Sequence, residues 1–215
     1  MRLLLDLDNT LVDRDGAFAH WAGGFLEEIG GDDEDLQWLL ELDAHGYTDR
    51  SVLVDALLTR FHLAHSRQEL VRSLVKGQLP YIRCYDGVRE MLEERRAAGD
   101  ELVIVTNGGV EQQSDKLRIS GLEGCADRVV ISQAVGSAKP APEIFATALE
   151  GRRPGLRSWM IGDHAVNDIQ GGHQAGCRTG WVTHGATWPG GAAPTVSATT
   201  TVDVLAQVVV TEGRD

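Results

Sequence analysis

The 215-residue sequence holds only three cysteines, Cys84, Cys125 and Cys177. They are odd in number, widely spaced and form no CxxC pair. That argues against a disulfide framework or a zinc knuckle and makes a reducing cytoplasm the expected address. Basic residues are also scarce: 20 Lys and Arg stand against 32 Asp and Glu, a formal net charge of −12. Affinity for nucleic acid rests on Lys and Arg against phosphates, so no nucleic-acid partner is expected. A small anionic substrate stays compatible, because it needs only one locally electropositive pocket with a bound cation. Long apolar runs are missing as well. The N-terminal run breaks at Asp6, too early for a signal peptide, and nothing approaches the roughly 18 residues of a membrane span. No internal repeat is visible.

What is present suffices for a full core and a small accessory domain, with 42% hydrophobic and 24% charged residues. Short apolar runs alternate with helical patterns. Residues 3–7, 102–105, 128–131, 159–161 and 179–183 are continuous runs of the kind buried on both faces of a parallel sheet. Between them, residues 88–98, 110–120, 142–149 and 165–175 read as helices. The alternation predicts an α/β fold, a Rossmann-like parallel sheet with right-handed crossovers. One segment departs from it. Between residues 15 and 81 no strand is legible, while Phe18, Trp21, Phe25 and Ile29 recur at helical intervals. Leu36, Leu39 and Leu40 continue the pattern, as do Leu53, Leu57 and Phe61, then Leu70 and Leu74. The reading is a four-helix insertion, residues 15–81, in a core made of residues 1–14 and 82–215. Residues 185–201, rich in Gly and Thr, read as an irregular connection. Residues 202–210 read as a closing helix despite their β-branched side chains.

Loops at the carboxyl ends of parallel strands converge on the ligand crevice. Four polar signals fall at such ends. Asp6 and Asp8 follow the first strand and Thr106 ends the second; Lys139-Pro140 lies beyond the third, and Asp163 with Asp168 beyond the fourth. In an extended backbone residues i and i+2 share a face, so Asp6 and Asp8 would point into one pocket; a turn starting there would alter that. One acid can attack phosphorus while the other protonates the leaving oxygen and then activates water. The pair could also serve as turn and N-cap residues, but caps alone do not call for matching acids after the fourth strand.

Four carboxylates and a phosphate dianion repel one another. Two like charges about 4 Å apart cost about 4 kcal/mol at an effective dielectric near ~20. A hard divalent cation resolves this, and oxygen-only ligands with open water positions favour Mg²⁺. Lys139 adds a second positive charge. Thr106, Asn107, Gly108 and Gly109 offer a hydroxyl and sterically open N–H groups ahead of a helix, a candidate phosphate cradle. Of the two later acids, Asp163 is the better direct metal ligand and Asp168 the residue that orients it.

Asp6-Leu7-Asp8-Asn9-Thr10, Thr106, Lys139-Pro140 and Gly162-Asp163-x4-Asp168 resemble, in order and spacing, the four motifs of the haloacid dehalogenase (HAD) superfamily, phosphatase branch. The likeness runs from the first strand to Gly176, and the helical insertion resembles that family's cap. It implies that Asp6 is the nucleophile forming an aspartyl-phosphate and Asp8 the general acid and base. It further implies that Thr106 and Lys139 hold the phosphoryl group and steady Asp6, with Mg²⁺ on Asp6, the Asp8 carbonyl and Asp163. Dehalogenases and phosphonatases of the family lack an Asp at the position of Asp8, so its presence favours phosphate esters. His164 departs from the pattern, standing where a smaller residue is common.

The expected activity is therefore Mg²⁺-dependent hydrolysis of a small phosphorylated metabolite, a phosphomonoester of the sugar phosphate or nucleotide class. The expected protein is a cytoplasmic monomer or homodimer without a membrane partner. In capped members the cap contacts the leaving group, which makes His45, Tyr47 and Arg50, with His20, candidate readers. Two other readings stay open. A phosphomutase on the same fold would return the phosphoryl group to its substrate. A non-enzymatic phosphoacceptor or binding module also combines acids, Thr and Lys on a parallel sheet, but its acceptor Asp lies on a middle strand and no cap follows.

Overall fold

Continuous apolar runs need cover on both faces, and a six-stranded parallel sheet supplies it. β1 (Arg2–Leu5) is buried at every residue and pairs with β2 (Glu101–Thr106) on one side and β4 (Ser158–Gly162) on the other. β3 (Arg128–Ile131) lies beyond β2, while β5 (Arg178–Val182) and then β6 (Val196–Ala198) lie beyond β4. The order is β3-β2-β1-β4-β5-β6, with all pairings parallel. The structure, a computed structural model, describes residues 1–151 and 155–213. It has the expected α/β class, with a Rossmann-like sheet and a helical insertion.

The chain divides into two units, Asp13–Arg83 and the remainder. The first is wholly helical: α1 (Arg14–Ile29), α2 (Asp33–Asp43), α3 (Arg50–Phe61) and α4 (Arg67–Lys76), with short 3₁₀ turns at Ala44–Gly46 and Leu79–Tyr81. Its starts are written locally. Asp32 with Asp35, and Ser66 with Glu69, form reciprocal capping boxes that satisfy otherwise unpaired N–H groups. Its core is Phe18, Trp21, Phe25, Leu39, Leu57 and Leu74, among others, with Trp21 stacked on Phe25 at 5.3 Å between centroids. Burial of this apolar stripe, more than propensity, holds helices of such length.

In the sheet unit the connecting helices are α5 (Val88–Ala97), α6 (Val110–Ile119), α7 (Ser132–Val135), α8 (Pro142–Leu149), α9 (Gly171–Gln174) and α10 (Thr201–Glu212). α10 forms where the closing helix is expected. Thr200 caps it, and burial of Val204, Leu205 and Val208 overrides their neighbours' β-branched preference. Two expectations need correction. The stretch 185–201 is not wholly irregular, because β6 pairs with β5 through Gly180–Val196, Trp181–Ser197 and Val182–Ala198. Three residues at a sheet edge are too few for a periodic pattern to register. Residues 165–175 are also not one regular helix: a π-helical segment, Ala165–Gln170, precedes α9. Among the described residues no helix is long and apolar enough to cross a membrane.

Candidate active site

The chain leaves β1 toward β2 and β3 on one side, and returns through β4, β5 and β6 on the other. The carboxyl ends of β1 and β4 therefore flank the topological switch point, where open α/β sheets form their crevice. Asp6 directly follows β1, its N–H donating to the Ile161 carbonyl at 2.9 Å, and Asp163 directly follows β4. Asp168 arrives from the π-helical segment. Carboxylate oxygens of Asp6, Asp163 and Asp168 all lie within 4.8 Å of one another. Lys139 Nζ, on a residue only 5% exposed, donates to Asp6 Oδ1 at 2.5 Å and to Asp168 Oδ1 at 2.7 Å. Thr10 Oγ1 reaches both Asp6 Oδ2 and Asp163 Oδ1 at 3.5 Å.

One ammonium here faces three carboxylates. Burial pushes the Asp6 carboxyl up to about 7; Lys139 pulls against that shift and Asp168 adds to it. Asp163 is raised well above the usual carboxylate range, by burial first and then by the charges of Asp6 and Asp168. Burial opposes the Lys139 charge, yet Asp168 and Asp6 outweigh it and raise its pKa. A set of oxygen donors carrying more negative charge than one lysine balances suits a hard divalent cation.

Asp6 and Asp8 keep different partners, though the Asp8 charge still acts on Asp6. β1 ends at Leu5, and the chain turns through Leu7–Val12, with Leu11 N–H on the Leu7 carbonyl and Asn9 at a φ of 55°. Each acid thus meets a different lysine. Both oxygens of Asp8 accept from Lys116 Nζ at 2.6 Å, and Asp8 Oδ2 also accepts from Gln113 Nε2 at 3.2 Å. The Asp8 carboxylate stands outside the cluster of three. The bonds of Asp168 go to Lys139 and to backbone: its Oδ1 accepts from Lys139 Nζ at 2.7 Å and its Oδ2 accepts the His164 N–H at 3.0 Å. Its carboxylate packs so closely on Gly162 that any Cβ there would collide with it. The His164 ring explains the departure noted in the sequence. Its Nδ1 accepts from the N–H groups of Val166 and Asn167, capping the π-helical segment, and burial lowers its pKa toward that neutral, accepting form.

The expected phosphate cradle is differently employed. Thr106 is buried, and its Oγ1 accepts from Gln113 Nε2 at 2.5 Å. Asn107 clamps the backbone of Lys139, donating from Nδ2 to its carbonyl at 3.0 Å and accepting its N–H at 2.8 Å. The Gly108 N–H donates to Ser132 Oγ at 2.9 Å, so it is not open to an anion in this arrangement. Sequence reasoning also passed over Lys116, Gln113 and Trp181, whose Nε1 donates to the Asp163 carbonyl at 2.7 Å. The usable signal was Gln113 and Lys116 at an i, i+3 spacing, one turn into the helix after Thr106.

His45, Tyr47 and Arg50 belong to the helical unit, not to this cluster. His45 and Tyr47 lie at the 3₁₀ turn after α2, and Arg50 opens α3. All three are exposed, and His45 Nδ1 pairs with Asp15 Oδ2. The turn is seated from beneath: buried Arg14 and Asp43 form an ion pair, and Asp43 Oδ2 accepts the Gly46 N–H at 2.9 Å. His20 stands edge-on to Tyr81 at 4.3 Å.

The model of the haloacid dehalogenase-like hydrolase family matches residues 3–182. The chain belongs to this family. A similar curated relative is the pyrimidine 5'-nucleotidase YjjG of Escherichia coli K12, 44% identical over 95 residues, which are 43% of this chain and 42% of that protein. Another is a phosphoserine phosphatase of Thermus thermophilus, 31% identical over 171 residues, 79% of this chain and 59% of that protein. The chain thus spans less than two thirds of either relative's length. Among solved structures, the L-2-haloacid dehalogenase of Xanthobacter autotrophicus superposes with a TM-score of 0.72 at 16% identity, covering 97% of this chain and 98% of that one. Haloacid dehalogenase-like architecture is therefore shared by members whose names denote different bond cleavages, and the reaction has to be read from the side chains.

Proposed function

We propose that the chain is a Mg²⁺-dependent phosphohydrolase that cleaves a small phosphomonoester through an aspartyl-phosphate on Asp6. The observation that carries this reading is the division of labour between two aspartates two residues apart. Asp6 sits with Asp163, Asp168 and Lys139, whereas Asp8 is held apart on Lys116. The first setting suits a nucleophile; in the second Lys116 orients Asp8, which must enter the cycle with a proton on one oxygen to act as the acid. The named activities of the Escherichia coli and Thermus relatives, a nucleotidase and a phosphoserine phosphatase, agree with a small phosphate ester.

Asp6, Asp163 and the Asp8 carbonyl would hold the cation, with Asp168 beside them. The cation would supply charge neutralisation for the incoming phosphate. Lys139 holds Asp6 Oδ1, leaving Oδ2 as the attacking oxygen. As the Asp6–phosphorus bond forms and the ester bond breaks, the leaving oxygen takes a proton from Asp8. Water then attacks the aspartyl-phosphate, Asp8 accepts its proton, and inorganic phosphate leaves with Asp6 restored. The Thr106 hydroxyl and Lys139 would steady the phosphoryl oxygens. In this reading Asp13–Arg83 is the cap, and His45, Tyr47 and Arg50 contact the alcohol side of a sugar phosphate or nucleotide.

The test is phosphate release from a panel of phosphomonoesters, with Mg²⁺ and with chelator. Release is expected only with the cation, and Asp6→Asn is expected to lower kcat at least about 10³-fold, some 4 kcal/mol of transition-state stabilisation. Undiminished turnover by Asp6→Asn would sink the nucleophile assignment.

A further inference from the structure

One buried cation has no part in the scheme above. Lys116 lies on α6, its side chain 3% exposed, and its Nζ sits 2.6 Å from both oxygens of Asp8. Three residues earlier on the same helix, Gln113 is 1% exposed and splits its amide between two partners. Nε2 donates to Asp8 Oδ2 at 3.2 Å and to Thr106 Oγ1 at 2.5 Å. Residues at i and i+3 share a helix face, so a single face of α6 grips the end of β2 and the turn after β1 together. A buried lysine costs several kcal/mol of desolvation unless its partner is well placed, and a plain solvated partner would not require it. A Cβ at Gly108 would meet the Gln113 side chain at 3.0 Å, so the glycine after Asn107 leaves room for that grip.

We propose that Lys116, assisted by Gln113, is a positioning residue for proton transfer: it fixes the Asp8 carboxylate, and through Gln113 the Thr106 hydroxyl, as one rigid assembly. The proposal rests on Asp8 being the proton carrier. Two charge-assisted contacts to the same ammonium remove the freedom of the Asp8 side chain to rotate. Preorganisation of this kind matters because proton transfer demands hydrogen-bond reach to the leaving oxygen, and small misplacements are costly.

The experiment compares kcat/KM, in saturating Mg²⁺, for phenyl phosphate and p-nitrophenyl phosphate. The phenoxide leaving group needs a proton, while nitrophenoxide leaves as a stable anion. kcat/KM reports the first chemical step alone if that step is irreversible. Lys116→Met is expected to lower kcat/KM for phenyl phosphate about 30-fold or more, and for p-nitrophenyl phosphate at least fivefold less. Lys116→Arg, which keeps the charge and donors, is expected to recover most of the loss. Should Lys116→Met fail to fold, Lys116→Gln, which keeps a donor without the charge, reports the same ratio. Equal losses for both esters, or no loss, overturn the proposal. Asp8→Asn separates the two layers. If it shows the selective loss and the Lys116 variants do not, the positioning role falls and Asp8 stands; if it shows none, the reading of Asp8 falls.

Discussion

Both units of the chain bury an apolar core, and they differ in the polar residues buried beside it. In the sheet unit, charged and polar side chains sit at the carboxyl ends of β1, β2 and β4 with almost no exposure: Asp6 6%, Thr106 1%, Lys116 3%, Lys139 5% and Asp168 1%. Each is paired: Asp6 and Asp168 with Lys139, Thr106 with Gln113, and Lys116 with Asp8. In the helical unit the interior is apolar, built on Phe18, Trp21, Leu39 and Leu57, and the polar residues singled out for recognition lie outside. Arg14, Asp43 and Gln78 are the buried polar side chains among the described residues there; the Arg14–Asp43 pair supports a turn and Gln78 donates to the Leu74 carbonyl. The contrast teaches where rigidity is placed. Buried polar groups are fixed because leaving any one unpaired is costly; exposed ones can change without cost to the fold.

The severest way to break that contrast is to remove the ammonium at its centre. Lys139→Met leaves Asp6 and Asp168 facing each other in a buried site. The expected loss of stability is about 4 kcal/mol in metal-free buffer near pH 8, measured by urea unfolding. The sign of its pH dependence follows from the carboxyls. Without Lys139 they gain stability by protonation, so the deficit should shrink as the pH falls toward 5. A loss below about 1 kcal/mol would mean that the site tolerates bare charge. The matching change in the other unit is Leu57→Ala, where the cost is a cavity. About 3 kcal/mol is expected, and no pH dependence, since nothing titratable is involved.

Much of this contrast was legible beforehand, for physical reasons. Strands buried on both faces must be continuous apolar runs, so β1, β2 and β4 stand out, and the polar residues at their ends, Asp6, Thr106 and Asp163, mark the crevice. The four helices show because one apolar stripe repeats at helical spacing through Phe18, Trp21 and Phe25. Other features have no such signature. Lys116 lies mid-helix, where a lysine ordinarily reads as solvated, and only the tertiary placement of α6 against the β1 turn buries it. The π-helical segment at Ala165–Gln170 has the composition of an α-helix; the His164 ring and the inward Asp168 set its path. Asn107 looked like an anion donor from its neighbours, but its amide matches both backbone groups of Lys139, thirty-two residues away.

A smaller effect sharpens the electrostatic half of the comparison. Asp6 titrates at about 7 in the fold against an ordinary 3.8, chiefly through burial. The sign is that of a raised acid: the cation-free protein holds this proton more tightly than the unfolded chain does. Its stability therefore declines as pH rises from about 4 to about 7, then levels. A cation must displace the proton, so the Asp6 proton alone should make Mg²⁺ bind about fivefold more weakly at pH 6 than at pH 7, and have little effect from pH 8 to 9. Titration calorimetry on Asp6-intact protein reads this directly. An affinity flat from pH 6 to 8 would mean that the bound cation displaces no proton from Asp6 or Asp163, and would remove both from the ligand set.

The mildest changes belong to the exposed turn of the helical unit. Tyr47 is 46% exposed and Arg50 stands at the first position of α3, so neither supports the apolar core. Tyr47→Ala and Arg50→Ala should leave the unfolding free energy within the span of about 0.5 kcal/mol typical of surface positions. If these residues contact the alcohol side of the ester, the loss should fall on KM, roughly three- to tenfold, with kcat nearly unchanged. It should also differ between substrates, because a residue that reads the leaving group discriminates among alcohols while one that holds phosphate does not. A uniform fall across sugar phosphates and nucleotides would move recognition back to the sheet unit. That outcome would leave the exposed turn as a structural corner, seated on Arg14 and Asp43 for the sake of the fold alone.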